Sequence, residues 1–150
     1  MLDIANCKAH MYDVIGAIHE VHDELGPGLS ETCYQEALQM QLDAVSITYQ
    51  REMQFHPTYH GQTMQSVFRV DFLCKGNIVV ECKAVSELNN NHRAQLFNYK
   101  RLLGCNCVIL VNFSLRFSEI ERYFFDDETN EIVGTDGKPL QIISNRRREE

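Results

Sequence analysis

Residues 69–83 read R-V-D-F-L-C-K-G-N-I-V-V-E-C-K, from Arg69 to Lys83. Segments 67–73 and 78–84 are rich in β-branched and aromatic residues. The Lys75-Gly76-Asn77 step between them holds a Gly-Asn turn signal, so the stretch predicts a β-hairpin. On a strand, Glu81 and Lys83 project from the same face, because side chains alternate with a period of two. With the turn centred on Gly76, Asp71 lies opposite Glu81 and Arg69 opposite Lys83. Directly opposed Cβ atoms sit roughly 4.5–5.5 Å apart. A slip of one residue would send Asp71 to the other face. Two carboxylates held that close repel each other unless a proton or a cation lies between them. An all-oxygen pair suits Mg²⁺ or Mn²⁺, which bind through one or two carboxylates and keep waters for a phosphate. A neighbouring lysine can offset phosphoryl charge or help orient the attacking water. Metal-assisted phosphodiester hydrolysis uses such a set. The plain alternative is a surface hairpin with a Glu–Lys cross-strand pair.

The 150 residues are enough for one domain with a real core, and 44% hydrophobic with 23% charged content is ordinary for a globular chain. No apolar run approaches the ~18 residues of a membrane-spanning helix. The start, M-L-D-I-A-N-C-K, lacks the basic-then-apolar order of a signal peptide. The cytoplasm is therefore the expected compartment. Cys7, Cys33, Cys74, Cys82, Cys105 and Cys107 form no Cys-x-x-Cys pair, which points to buried free thiols rather than zinc or an iron–sulfur cluster. The net charge of −7 has the wrong sign for a surface that attracts nucleic acid everywhere. A nucleic-acid enzyme of this balance needs a local basic patch or bound cations to offset phosphate repulsion.

Apolar residues at helical spacing predict a helix over 4–25, ended by Gly26-Pro27-Gly28. His19 and His22, one turn apart on it, read as a solvated edge rather than a metal pair. A second helix is predicted over 30–44 with Ser30 as N-cap, Tyr34, Leu38 and Leu42 as its buried stripe, and Glu31 in the first turn, where the helix dipole favours an acid. Strands are expected from Ile47 to Val70, with a turn at His60-Gly61-Gln62. A helix follows over 90–103, with Gln95 and Tyr99 on one side. The apolar run 105–113 predicts a fully buried strand, and the helix before it makes it a parallel neighbour of 78–84. One more strand is expected at 120–125, then a turn at Asp136-Gly137-Lys138-Pro139 and a disordered end over 146–150. The order predicts an α/β domain with a mixed central sheet.

Three motifs stand in sequence. Gly28-Leu29-Ser30-Glu31-Thr32-Cys33-Tyr34 fits the pattern GxxExxY. Arg69, Asp71, Glu81 and Lys83 give R-x-D, hairpin, E-x-K. His92-Arg93-Ala94-Gln95-Leu96-Phe97-Asn98-Tyr99 gives H-x-A-Q-L-x-N-Y. Together they resemble the GxxExxY proteins of the PD-(D/E)XK nuclease superfamily over residues 5–125. The resemblance implies a restriction-endonuclease-like core over 1–125, with 126–150 as a C-terminal extension. It implies a divalent cation, Mg²⁺ or Mn²⁺, held by Asp71, Glu81, Glu31 and the backbone carbonyl of Cys82, with Lys83 as the catalytic lysine. Gln95 and Tyr99 match a Gln-x-x-x-Tyr motif that shapes the substrate side, and Arg69 and His92 match positions of lesser definition. Cys82 departs from the aliphatic residue expected there. The implied activity is hydrolysis of nucleic acid, DNA before RNA, by water that the metal activates, and a homodimer is compatible with it. Members that kept the fold and lost activity leave open a catalytically silent binding or regulatory protein. An enzyme acting on a small phosphorylated molecule would use the same site.

Overall fold

The computed structural model describes residues 3–95, 98–99, 103–126, 128–129 and 131–139. Helix α1 (Ile4–Leu25) starts where the Asp3 side chain accepts from the Asn6 N–H, and ends at Gly26 with φ 65°. Its buried face is Met11, Val14, Ala17, Ile18, Val21 and His22. Helix α2 (Glu31–Ala44) starts as its sequence predicts, with Ser30 Oγ accepting from the Cys33 N–H at 3.2 Å, and buries Tyr34, Gln35, Leu38 and Leu42.

Then come β1 (Tyr49–Phe55), a small arm of β2 (Thr58–Tyr59) and β3 (Gln62–Thr63), β4 (Phe68–Cys74), β5 (Ile78–Lys83), α3 (Asn90–Ala94), β6 (Cys107–Asn112), β7 (Glu119–Asp126) and β8 (Glu131–Val133). Six strands make one sheet in the order β1-β4-β5-β6-β7-β8. Among the described residues, β5 and β6 are the one parallel pair, joined by the crossover through α3, and the other pairings of this sheet are antiparallel. The fold is α/β with a mixed central sheet. On one face Phe72, Cys74, Ile78, Val80, Ile109, Val111 and Phe124 pack against α1 and α2. On the other, Val70, Leu73, Val79, Val108, Tyr123, Phe125 and Ile132 pack with Tyr99. Strand β6 is buried along its whole length, which is why C-V-I-L-V-N shows no alternation.

Several details differ from expectation. The hairpin turn is set by Lys75 and Gly76, with φ 54° and 77°, and closed by the Asn77 N–H to Cys74 O at 3.2 Å, not by a Gly-Asn pair. A lysine holds that left-handed position because Lys75 is tied down: Nζ donates to His10 O at 3.0 Å and to Asp13 at 2.6 Å. His22 is buried rather than solvated, since its Nε2 donates to Leu115 O at 2.8 Å and its ring stacks on Phe113; His19 is exposed. Cys7 and Cys33 are half-buried, whereas Cys74, Cys82, Cys105 and Cys107 are buried, and all six are free. Burial pushes the Cys74 thiol up to about 12, so it is no nucleophile. Helix α3 stops at Ala94 and Gln95 takes a turn, with Asn98, Tyr99 and Leu103 helical again; 96–97 and 100–102 lie outside the described residues. Strand β8 was not anticipated: Ile132 and Val133 are only 1% and 5% exposed against the sheet. The terminal stretch 146–150 lies outside the described residues.

Tyr34 joins three parts of this fold. Its ring stacks on Phe113 at 4.7 Å, and its hydroxyl donates to Gly26 O at 2.6 Å while accepting from the Leu29 N–H at 3.2 Å. Removing the hydroxyl strands two backbone groups, so Tyr34→Phe should cost about 1–3 kcal/mol of stability. Urea denaturation checks this; an unchanged midpoint would mean that water replaces both bonds without loss.

Candidate active site

The site is built where the hairpin opens. The β4–β5 ladder pairs Cys74↔Ile78, Leu73↔Val79 and Phe72↔Val80, the register centred on Gly76, and goes no further. Beyond it, side chains take over from the backbone. Asp71 Oδ2 accepts from the Cys82 N–H at 2.8 Å, and Glu81 Oε1 accepts from the Asp71 N–H at 3.2 Å. The neighbouring edge adapts as well. Arg51↔Phe72 and Met53↔Val70 pair, but Glu52, between them, is left-handed with φ 53°. Val70 and Leu73 then fall on the same face, so the alternation of β4 breaks at Asp71. A non-glycine residue in that conformation costs on the order of 1–2 kcal/mol, a strain that marks functional regions more often than plain sheet.

Burial dominates the electrostatics. Glu81 is 6% exposed and its carboxyl is pushed up to about 8, first by burial and then by the charge of Asp71. Asp71 is also raised, chiefly by burial, with Glu52 adding to the effect. Each carboxyl bonds the other's side of the hairpin, and Tyr99 hydrogen-bonds Glu81. Glu31, half-buried at the start of α2, is raised mainly by burial; Lys83 opposes the shift and Asp71 adds to it. Gln35 Nε2 donates to Glu31 Oε1 at 3.4 Å. Lys83 is half-buried at the end of β5, where its charge acts on Glu31, Asp71, Glu81 and His92 alike. Two layers therefore meet there, Glu31 from the α1–α2 side and Tyr99 from the opposite one.

Not every expected residue converges. His92 does so indirectly: its Nδ1 accepts from the Asn89 N–H at 3.1 Å in a capping box, and burial followed by the charges of Lys83 and Arg93 lowers its pKa. Gln95 is exposed beside α3, and Arg69 is exposed on β4 opposite Gln54. The Cys82 side chain points away into the α1–α2 core, leaving only its backbone to face the pair.

The residues that hold the site in shape carry no sequence motif. Arg93 grips Glu121 of β7 with Nε at 2.8 Å and Nη2 at 2.7 Å, and Tyr123 donates to the same carboxylate at 2.6 Å. Burial pushes Glu121 up, but the bonds from Arg93 and Tyr123 outweigh it and leave its pKa lowered. This network fastens α3 to the sheet. Asn112, fully buried at the end of β6, accepts from the Val85 N–H at 3.1 Å and donates to Val85 O at 2.9 Å, fixing the chain as it leaves Lys83. An asparagine closing an apolar strand and a glutamate inside a strand were the signals available in the sequence.

Compared with known protein families, the chain matches the PD-(D/E)XK nuclease superfamily over residues 8–123. It belongs to that superfamily, and its mixed sheet with flanking helices is the restriction-endonuclease-like arrangement. A search of the curated proteins and one of the solved structures each returned no match. Among the described residues, no helix is long and apolar enough to cross a membrane.

A raised folded-state pKa means that the unfolded chain ionises more readily, so Glu81 lowers stability as pH climbs from about its ordinary 4.5 to about 8. In metal chelator, Glu81→Gln should therefore melt several degrees above wild type at pH 8, and the gap should close towards pH 5. A gap independent of pH would show that Glu81 is not the buried charge described.

Proposed function

We propose that the chain is a divalent-metal-dependent nuclease of the GxxExxY group, hydrolysing phosphodiester bonds of DNA. The observation that carries this reading is the buried Asp71–Glu81 pair, wedged into an opened hairpin with Lys83 beside it. Such a pair, both carboxyls raised by burial and Glu81 further by the charge of Asp71, is an electrostatic arrangement that a hard divalent cation fits.

The chemistry of the donors supports this reading. The set is all oxygen: each carboxylate accepts one backbone N–H, Tyr99 also hydrogen-bonds Glu81, and the two carboxyls hydrogen-bond each other. Among the described residues no group of three or more His, Cys, Asp or Glu side chains is placed to hold a metal ion, so Glu31 is not gathered with Asp71 and Glu81 into one ligand set. A hard divalent cation needs only one or two carboxylates, with waters and substrate phosphate completing its shell. Asp71, Glu81 and the Cys82 carbonyl would hold the cation, with Glu31 at its outer side. When bound, it lowers the pKa of water and offsets phosphate charge.

The rest falls to the protein. Lys83 offsets negative charge as it grows on the phosphate and helps orient the attacking water. Tyr99 steadies Glu81, and the Arg93–Glu121 clamp keeps α3, with His92, against the site. Gln95 and Arg69, both exposed, belong to the substrate side of this reading.

Calorimetric titration of Mn²⁺ should show binding to wild type and none to Asp71→Ala/Glu81→Ala. Asp71→Ala or Lys83→Ala should each cut DNA cleavage at least about 100-fold with folding unchanged by circular dichroism. Full activity in either variant would overturn the mechanism. The net charge of −7 favours the second reading, a nuclease-fold binding protein without turnover, and metal binding with no cleavage of any nucleic acid would support it.

A further inference from the structure

The connection between β6 and β7, residues 113–118, leaves the sheet at the end where β5 finishes in Lys83. Asn112 pairs with Lys83, and the Phe113 N–H donates to Lys83 O at 2.9 Å. The loop is anchored on both sides. Ser114 N–H donates to Asn112 Oδ1 at 3.2 Å, His22 Nε2 donates to Leu115 O at 2.8 Å, and Ser118 Oγ lies 3.3 Å from His19 Nδ1. Only Arg116 and Phe117 project. Phe117 is 75% exposed, and the Arg116 guanidinium lies over its ring at 5.5 Å.

Beside them is a hollow of about 320 Å³, lined by His19, His22, Asp23, Gly26, Arg116 and Phe117 among others. One exposed aromatic residue is unremarkable by itself. This one lies in an anchored loop, is paired with a cation on an acidic chain, and is no more than ~14 Å of extended backbone from Phe113, which bonds β5. Arg116 suits a phosphate, whereas Asp23 repels one and suits the amino edge of a base. Inside duplex DNA both faces of a base are already stacked, so a ring at a loop tip engages an unpaired base most readily.

We propose that Phe117 and Arg116 form a stacking platform for an unpaired base near the scissile phosphate, making single-stranded or frayed DNA the substrate. This rests on the nuclease reading and narrows it. The base lies against the Phe117 ring with its phosphate at Arg116. The cleavage chemistry remains with the Asp71–Glu81–Lys83 site.

The test uses the full chain with fluorescein-labelled DNA of about 15 nucleotides, single-stranded or as a blunt duplex. Anisotropy is read in chelator and cleavage in Mn²⁺. Wild type should bind and cut the single strand in preference. Phe117→Ala should weaken single-strand binding about tenfold or more, leave duplex binding and the melting temperature unchanged, and be rescued by Phe117→Trp. Equal single-strand binding by wild type and Phe117→Ala, or a wild-type preference for the duplex, would overturn the platform while leaving the nuclease reading intact. Wild type that neither binds nor cuts either DNA would overturn both.

Discussion

The structure depends on two carboxylates doing the work of backbone. Where β4 and β5 would go on pairing, Asp71 and Glu81 each accept an N–H from the opposite strand, so the hairpin opens without leaving those donors unsatisfied. The substitution is costly, because both acids are removed from water and set against each other. Other features accommodate it: the left-handed Glu52 on the edge, the broken alternation at Val70, and the Tyr99 bond to Glu81. A hydrophobic pair in place of the acids would let the ladder continue and close the site.

The second half of the site is carried by aromatic packing. Phe113 lies between Tyr34 and His22, which ties the start of α2 and the end of α1 to the exit of β6. Each fixed letter of Gly28-x-x-Glu31-x-x-Tyr34 thereby gains a physical role. Gly28 takes φ 101°, which a side chain would strain; Tyr34 staples the loop through Gly26 and Leu29; and Glu31, between them, is delivered to within electrostatic reach of Lys83 and Asp71.

Much of this was legible in the sequence because it rests on local periodicity. The span of α1, the Ser30 cap, the unbroken apolar run of β6 and the hairpin register all follow from spacing within a few residues. What escaped was decided by distant partners. His22 looks like a helix-edge histidine until Leu115 and Phe113 arrive to bury it. Glu121 looks like a solvent-facing strand residue until Arg93 reaches it, and Asn112 acquires its meaning only from Val85. Strand β8 is short and takes its stability from β7. Lys75 in a left-handed turn is likewise explained by α1, far away in the chain.

Strand β5 has one neighbour close in sequence and one remote. The β4 partner is joined by a tight turn, whereas β6 comes only after the long connection that contains α3. Short loops close readily and long ones late, so the hairpin is a natural early structure in folding and the parallel pairing a slow one. Until β6 docks, Asn112 cannot clamp Val85 and the Arg93–Glu121 clamp has no sheet to hold. The carboxylate pair can thus form in a partly folded chain, but the groups that position Lys83 and Tyr99 wait for the crossover. A chain stalled before β6 would carry the two acids without the groups that pack around them in the folded protein.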